Sequence, residues 1–364
     1  MEPPARNLIK YVSLILMLIQ NSGFVLMMRY SRQQQQEAQV EQYSVAVVIV
    51  MQEFFKLVLC LAMIATTQST SAALEALVQP REISRVAIPA ACFTLQNNIL
   101  YVALSNLEPL LFQISYQIKT LLTALLSVKI LRRVLSRWQW LSQLLLTVGV
   151  VMAQMGEPAK KQQAPSDGAG GDAAAPQRSL LLGMSAVLTA AFSSSYASVY
   201  FERLLKETPM LPPPGDGDSP SPKAPKPQST LWHRNTQLCI WTVPMNVLLA
   251  LIGASASGTL GDVLQHPLRG FQWSTWSLVI VNGLGGLLVA VVMKYADNIL
   301  KGFATAGAII VTGIMAPLLA LGPPPSMLLI LGGVLVIASL FLYSAKPGGP
   351  APAVVSGRPV PRSV

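Results

Sequence analysis

Apolar runs about 20 residues long, each enough to cross a bilayer as a helix, recur roughly at 8–28, 44–66, 84–105, 109–131, 138–155, 179–204, 235–256, 275–296, 299–321 and 326–343. They constrain the fold more than any motif in the chain. Lipid gives a peptide group no hydrogen-bond partner, so a chain crossing it must form helices or a closed barrel. The period-two alternation of barrel strands is missing. Composition agrees, since 52% of the 364 residues are apolar and only 12% are charged, well outside the range of soluble domains. The reading is an all-α membrane protein with about ten transmembrane helices.

An even number of crossings places both termini on one side, and the Lys/Arg bias says which. Sixteen basic residues fall on the terminal side, among them Lys10, Arg85, Arg133 and Lys206, against six opposite, including Arg29 and Arg269. Both termini are therefore expected in the cytosol. The net charge of +10 is then mostly a topology signal. No basic run is interleaved with exposed aromatics, so no nucleic-acid partner is expected.

Two segments rich in Pro, Gly, Ala and Ser, 156–178 and 208–230, cannot bury enough apolar area to order themselves and are read as linkers. The first divides the chain into halves 1–155 and 179–345 of five crossings each, followed by a cytosolic tail at 346–364. Five is odd, so the halves would insert as inverted repeats. The weak likeness of "YVALSNLEPLLFQ" to "KYADNILKGFA" points the same way. Transporters built on this plan hold their substrate near the midplane between the repeats.

Lys119, in "LLFQISYQIKTLLTALLSV", is too deep in its run to snorkel to the surface, and a lysine there costs a few kcal/mol. Its helical neighbours Ser115 and Tyr116, with Phe112 a turn further, form a polar and aromatic stripe beside it. Either an acid on another helix compensates the charge or an anion does. Glu53 and Lys56, three apart, can neutralise each other. In "KYADNILKGFATAGA", Asp297 can neutralise one lysine, and Lys294 lies nearer a membrane edge, leaving Lys301 as a second candidate cation. Two such cations would suit a phosphate. Phe93, Gln96, Asn97 and Asn98 in "FTLQNN" are suited to reading a base or sugar edge, or to interhelical bonding. Ser194, in the hydroxyl-rich "FSSSYASVY", suits close packing or a cavity wall, and Asn235 is another lone amide.

Enzyme signals are weak. "NGLGGLL" has no preceding strand and reads as close helix packing rather than a nucleotide loop. Three cysteines in apolar runs and two separated histidines give neither a disulfide framework nor a metal site. No cofactor is expected.

Taken together, "TLQNNILYVALSNL", "FQISYQIKTLLTALLSV", "LSRWQWLSQ", "SVYFERLLKET" and "GGLLVAVVMKYADNILKGFAT" resemble the nucleotide-sugar transporters of the drug/metabolite transporter superfamily. The group includes UDP-galactose, UDP-N-acetylglucosamine and CMP-sialic acid carriers, and the last two motifs lean toward UDP-N-acetylglucosamine. The resemblance implies ten helices in inverted repeats, Golgi residence, and exchange of a cytosolic nucleotide sugar for a lumenal nucleoside monophosphate. It also implies that Lys119 and Lys301 hold phosphate, while Phe93, Asn97, Phe112, Ser194 and Asn235 line the nucleotide pocket; Gln96 and Tyr116, read from the residues themselves, complete the candidate substrate-binding set. Phe112 stands where the CMP-sialic acid carriers have tyrosine, which favours uridine, and Cys239 replaces a stacking tyrosine. The rivals are a CMP-sialic acid/CMP antiporter, a membrane-embedded transferase using a nucleotide sugar, and a non-transporting scaffold. Homo-oligomerisation is left open.

Overall fold

The structure, a computed structural model, describes residues 4–37, 43–67, 77, 79–107, 109–156, 179–207, 231–321 and 324–345. Apart from Gly156, the linkers read at 156–178 and 208–230 lie outside the described residues, as does the tail. The described residues form helices and contain no strand. The helices are α1 (Pro4–Glu37), α2 (Val45–Thr67), α3 (Pro80–Asn106), α4 (Pro109–Tyr116), α5 (Ile118–Leu131), α6 (Arg137–Met155), α7 (Leu180–Lys206), α8 (Leu231–Ala256), α9 (Leu260–Gln265), α10 (Trp273–Tyr295), α11 (Asn298–Leu318) and α12 (Met327–Ala345).

Eight stretches are long and apolar enough to cross a membrane: α1, α2, α4 with α5, α7, α8, α10, α11 and α12. The remaining long helices, α3 and α6, coincide with apolar runs in the sequence but carry more polar residues. Arg81, Glu82, Arg85 and the Gln96–Asn98 amides sit on α3, and Arg137, Gln139, Gln143 and Gln154 on α6. Local chemistry sets several helix ends. Ser136 and Gln139 form a reciprocal capping box at the start of α6, and Pro80 occupies the first turn of α3, where a missing N–H costs nothing. The Asp297 side chain accepts from the Leu300 N–H at 2.7 Å, capping α11 and breaking the chain between α10 and α11.

One run expected to be a single helix is divided. α4 ends at Tyr116 and α5 begins at Ile118, with Gln117 in a turn between them. There the backbone shifts to tighter bonds, Gln117 N–H to Ile114 C=O at 3.2 Å and Thr120 N–H to Gln117 C=O at 3.0 Å. An apolar run alone does not show such a break, because the flanking residues are the same as in a continuous helix.

The helices pack in a definite pattern of pairs. α3 lies along α7 and α1 along α10; α5 packs on α7 and α11 on α1; α3 meets α8 and α2 meets α10. α2 also packs on α8, and α6 on α12. Exchanging the long helices of the first half for those of the second, in order, converts each of the first three pairings into its companion and leaves the last two unchanged. Among the described residues the two non-glycine residues with positive φ, Arg132 (53°) and Ala320 (56°), obey the same exchange, one just beyond the end of α5 and the other just beyond the end of α11.

Glycines set the closest approaches. A Cβ at Gly332 on α12 would stand 2.7 Å from the Ala153 amide nitrogen, and one at Gly149 on α6 2.8 Å from the Gly332 carbonyl oxygen. A Cβ at Gly283 would meet the Phe55 ring at 2.6 Å. The glycines of "NGLGGLL" therefore bring α10 against α2, as the packing reading expected.

Candidate functional site

α7 runs through the middle of the bundle, and its hydroxyls tie three other helices to it. Ser193 donates to the Cys92 carbonyl of α3 at 2.8 Å, Ser195 to the Lys119 carbonyl of α5 at 3.0 Å, and Thr123 of α5 to the Ser195 hydroxyl at 3.1 Å. Further along, the Asn298 amide at the start of α11 donates to the Ser198 hydroxyl at 2.7 Å. The serine-rich stretch is thus largely packing chemistry. Ser194 is buried within it.

Lys119 is the second residue of α5, directly after the mid-span turn. No side chain caps α5, so the positive end of its peptide dipole adds to the lysine's field. The ammonium lies over the Tyr116 ring, 5.3 Å from its centroid, and Tyr116 stacks on Phe112 at 5.7 Å. The stripe read from the sequence exists as a physical surface. The Tyr116 hydroxyl is buried and has no hydrogen-bond partner among the described residues. A buried unpaired hydroxyl beside a cation is available to a ligand oxygen.

Lys301 faces this region from the first turn of α11. A Cβ at neighbouring Gly302 would sit 3.9 Å from the Thr120 methyl, and the Lys119 and Lys301 charges act on one another. Among the described residues neither lysine has a carboxylate in ion-pair range; Lys301 feels the Glu202 carboxylate only through space. Asp297, expected to neutralise a lysine, instead pairs with Arg133 at 2.8 Å. The chain reverses between α10 and α11, turning Asp297 toward the α5–α6 connection.

The other residues singled out divide between two cores. Phe93 packs against the core of Val86, Ala90, Phe201, Leu204, Leu231 and Met293, where α3, α7, α8 and α10 meet. Phe112 and Tyr116 pack against Ala103, Leu107, Ala186 and Val187. Gln96 donates to Asn97 at 3.4 Å and Asn98 to the Thr94 carbonyl at 2.8 Å, while buried Asn235 donates to the Leu231 carbonyl at 2.9 Å. Lys119, Tyr116 and Phe112 therefore come together, and Lys301 lies on α11, which packs on α5. Asn235 stands on the Phe93 side, with no contact to either lysine among the described residues.

Glu53 and Lys56 form the expected pair at 2.7 Å, and Thr242 of α8 donates to the second Glu53 oxygen at 2.5 Å. Sequence reasoning missed what surrounds them. α1, α2 and α10 line a partly open cavity of about 180 Å³ whose polar lining is Gln20, Asn21, Gln52, Glu53, Lys56 and Asn282. Gln52 accepts from Asn282 at 2.7 Å. The signal was present as amides recurring in apolar runs, but only packing shows that they share one space. Glu202 was also missed. It is fully buried and holds Arg133 at 2.8 Å and Lys206 at 2.6 Å.

Comparison with known proteins decides the family. The model of the nucleotide-sugar transporter family matches residues 5–211 and 224–344. This chain belongs to the nucleotide-sugar transporter family. Among the family's members, the UDP-N-acetylglucosamine transporter of Rattus norvegicus is 35% identical over 93% of this chain and 96% of its own length. The UDP-galactose translocator of Bos taurus is 36% identical over 97% of this chain and 81% of its own length. A crystal structure of another protein, 15% identical, superposes with a TM-score of 0.58 over 92% of this chain and 97% of that one; at that identity the likeness concerns the fold alone. The family and the relatives named are transporters, and this family member is a multi-pass helical membrane protein.

Proposed function

We propose that this transporter is a Golgi antiporter, carrying a UDP-sugar, with UDP-N-acetylglucosamine or UDP-galactose favoured, into the lumen in exchange for UMP by alternating access. The names of the relatives support the substrate class. The pair-exchange pattern of helix packing and the matched positive-φ residues support ten crossings in two inverted repeats, with 1–155 and 179–345 as the halves, and the Lys/Arg bias supports cytosolic termini. Catalysis has no part in the reading.

The observation that carries it is the facing of Lys119 and Lys301 with no carboxylate in range. Two uncompensated cations in a low-dielectric interior repel each other, and an anion between them relieves that repulsion. Lysine ammonium groups act on phosphate as point charges. Tyr116 offers its unpaired hydroxyl alongside, and Phe112 an apolar face. Phe93, Gln96, Asn97, Ser194 and Asn235 line the route for the base on the other side of α7. α1 and α10 wall the amide-lined cavity and both pack on α11, the helix of Lys301. The cavity then offers carboxamides, which both donate and accept, to the sugar hydroxyls.

An obligate exchanger follows, because the empty site with its charges exposed to one another would resist reorientation. The test is uptake into proteoliposomes preloaded with UMP, comparing labelled UDP-N-acetylglucosamine, UDP-galactose and CMP-sialic acid for wild type and Lys119→Ala. Exchange of a UDP-sugar in wild type and its loss in the folded variant is the expected result. Preference for CMP-sialic acid would select the rival antiporter, and Phe112 is the residue that argues against it.

A further inference from the structure

Four ion pairs between described residues join the two halves of the molecule at one end. At the end where α5 and α7 finish and α11 begins, Arg133 spans the halves by itself. One guanidinium nitrogen lies 2.8 Å from Glu202 Oε1 and the other 2.8 Å from Asp297 Oδ2. Lys206 Nζ closes the group, 2.6 Å from Glu202 Oε1 and 3.0 Å from the Ala296 carbonyl. The Asn298 N–H donates to Glu202 Oε2 at 3.0 Å. A second pairing, Arg85 with Glu207, ties α3 to α7 at the same end, and Arg234 of α8 pairs with Glu82 of α3. At the opposite end hydrogen bonds join the halves, Ser31 to Ser274 at 3.1 Å and the Ser179 N–H to Asn106 at 3.1 Å.

Arg132, with its positive φ, turns the chain so that Arg133 faces inward; the matching turn at Ala320 is followed by Leu321, which has no charge to offer. The Arg133 charge therefore has no counterpart at the position the exchange relates to it. The two carboxylates that Arg133 grips lie beside the first turn of α11, one as its N-cap and the other bonded to its first amide, and Lys301 is in that turn. Whatever releases Arg133 frees the start of the helix that carries the phosphate-facing lysine.

The geometry points to Arg133, Glu202, Asp297 and Lys206 as a latch that holds the cytosolic entrance shut in the lumen-facing state and must part for the site to open to the cytosol. This rests on the proposed transporter topology. Arg133 here is a positioning residue and does not touch the substrate. The bonds have to be exchanged for water on opening, and each charge-assisted bond of this kind is worth about a tenfold change in population or more. Removing the guanidinium should shift the resting population toward the cytosol-open form.

The experiment places a reporter thiol by Thr120→Cys in a chain whose Cys60, Cys92 and Cys239 are alanine. An impermeant maleimide is applied to cells with the plasma membrane opened and internal membranes sealed, then to both faces after detergent. Arg133→Gln and Asp297→Asn should be labelled from the cytosolic face at least about tenfold faster than the parent, since each loses a charge-assisted bond. The asparagine keeps the N-cap of α11, so this variant tests the charge with the helix start intact. Arg133→Lys should lie between, and Lys129→Gln, an exposed change at the same end with no ion pair among the described residues, should match the parent. Unchanged cytosolic labelling in both Arg133→Gln and Asp297→Asn overturns the latch, and so does an equal increase from both faces, which would mean general loosening. Parallel UMP exchange assays separate the two hypotheses. Exchange with unchanged labelling removes the latch alone, whereas absence of exchange in wild type removes the transport reading.

Discussion

The tightest helix contact gives a prediction whose sign can be worked out from geometry. Replacing glycine by alanine inside a helix favours folding by about 0.8–1 kcal/mol through backbone entropy. At Gly302 the new methyl would meet Thr120 at 3.9 Å, an ordinary contact, so Gly302→Ala should keep most of that gain. At Gly332 the methyl would stand 2.7 Å from the Ala153 nitrogen and against the Gly149 carbonyl. These are backbone atoms of α6, and no side-chain rotation can make room, so α6 and α12 have to separate. Overpacking of this sort costs roughly 1–3 kcal/mol, and separation would also lose contacts along a helix pair whose association depends on close packing. The net expectation is a loss of about 0–2 kcal/mol for Gly332→Ala against a gain of up to about 1 kcal/mol for Gly302→Ala. Thermal unfolding in one detergent, followed by fluorescence-detected size-exclusion, should rank Gly302→Ala at or above wild type and Gly332→Ala below it. A Gly332→Ala protein as stable as the Gly302→Ala protein would refute the argument from backbone contact.

Glu53→Gln should be severely destabilising, by about 3–5 kcal/mol, because it leaves Lys56 buried without its counter-charge; the double replacement Glu53→Gln/Lys56→Met should recover much of the loss in the same unfolding assay. At Asp297, burial pushes the carboxyl up, but Arg133, Lys206 and the Leu300 amide together hold it below the ordinary value. A carboxyl depressed in the folded state contributes stability above its unfolded pKa, which is lost as pH falls through the depressed value. Unfolding temperature should therefore be insensitive to this group from pH 8 down to about 5 and fall below about pH 4, with the acid-side fall reduced in Asp297→Asn.

The sequence by itself determined the class of structure, because lipid leaves a backbone no other way to satisfy its hydrogen bonds. It also supplied the Lys119–Tyr116–Phe112 stripe and the Glu53–Lys56 pair, since neighbours three and four apart meet on any helix surface. The glycines of "NGLGGLL" were legible as packing residues for a similar reason: without a strand before them they had no phosphate loop to form. What tertiary structure decided is everything that depends on contacts between distant segments. Asp297 went to Arg133 rather than to a neighbouring lysine because the reversal before α11 turns it toward the α5–α6 connection. Gln20, Gln52 and Asn282 became one cavity lining only when α1, α2 and α10 came together. The interruption at Gln117 and the burial of Glu202 between two basic residues belong to the same class. Hydropathy reports what each segment buries, whereas the partner of a buried charge depends on which helix ends meet, and that is settled by packing.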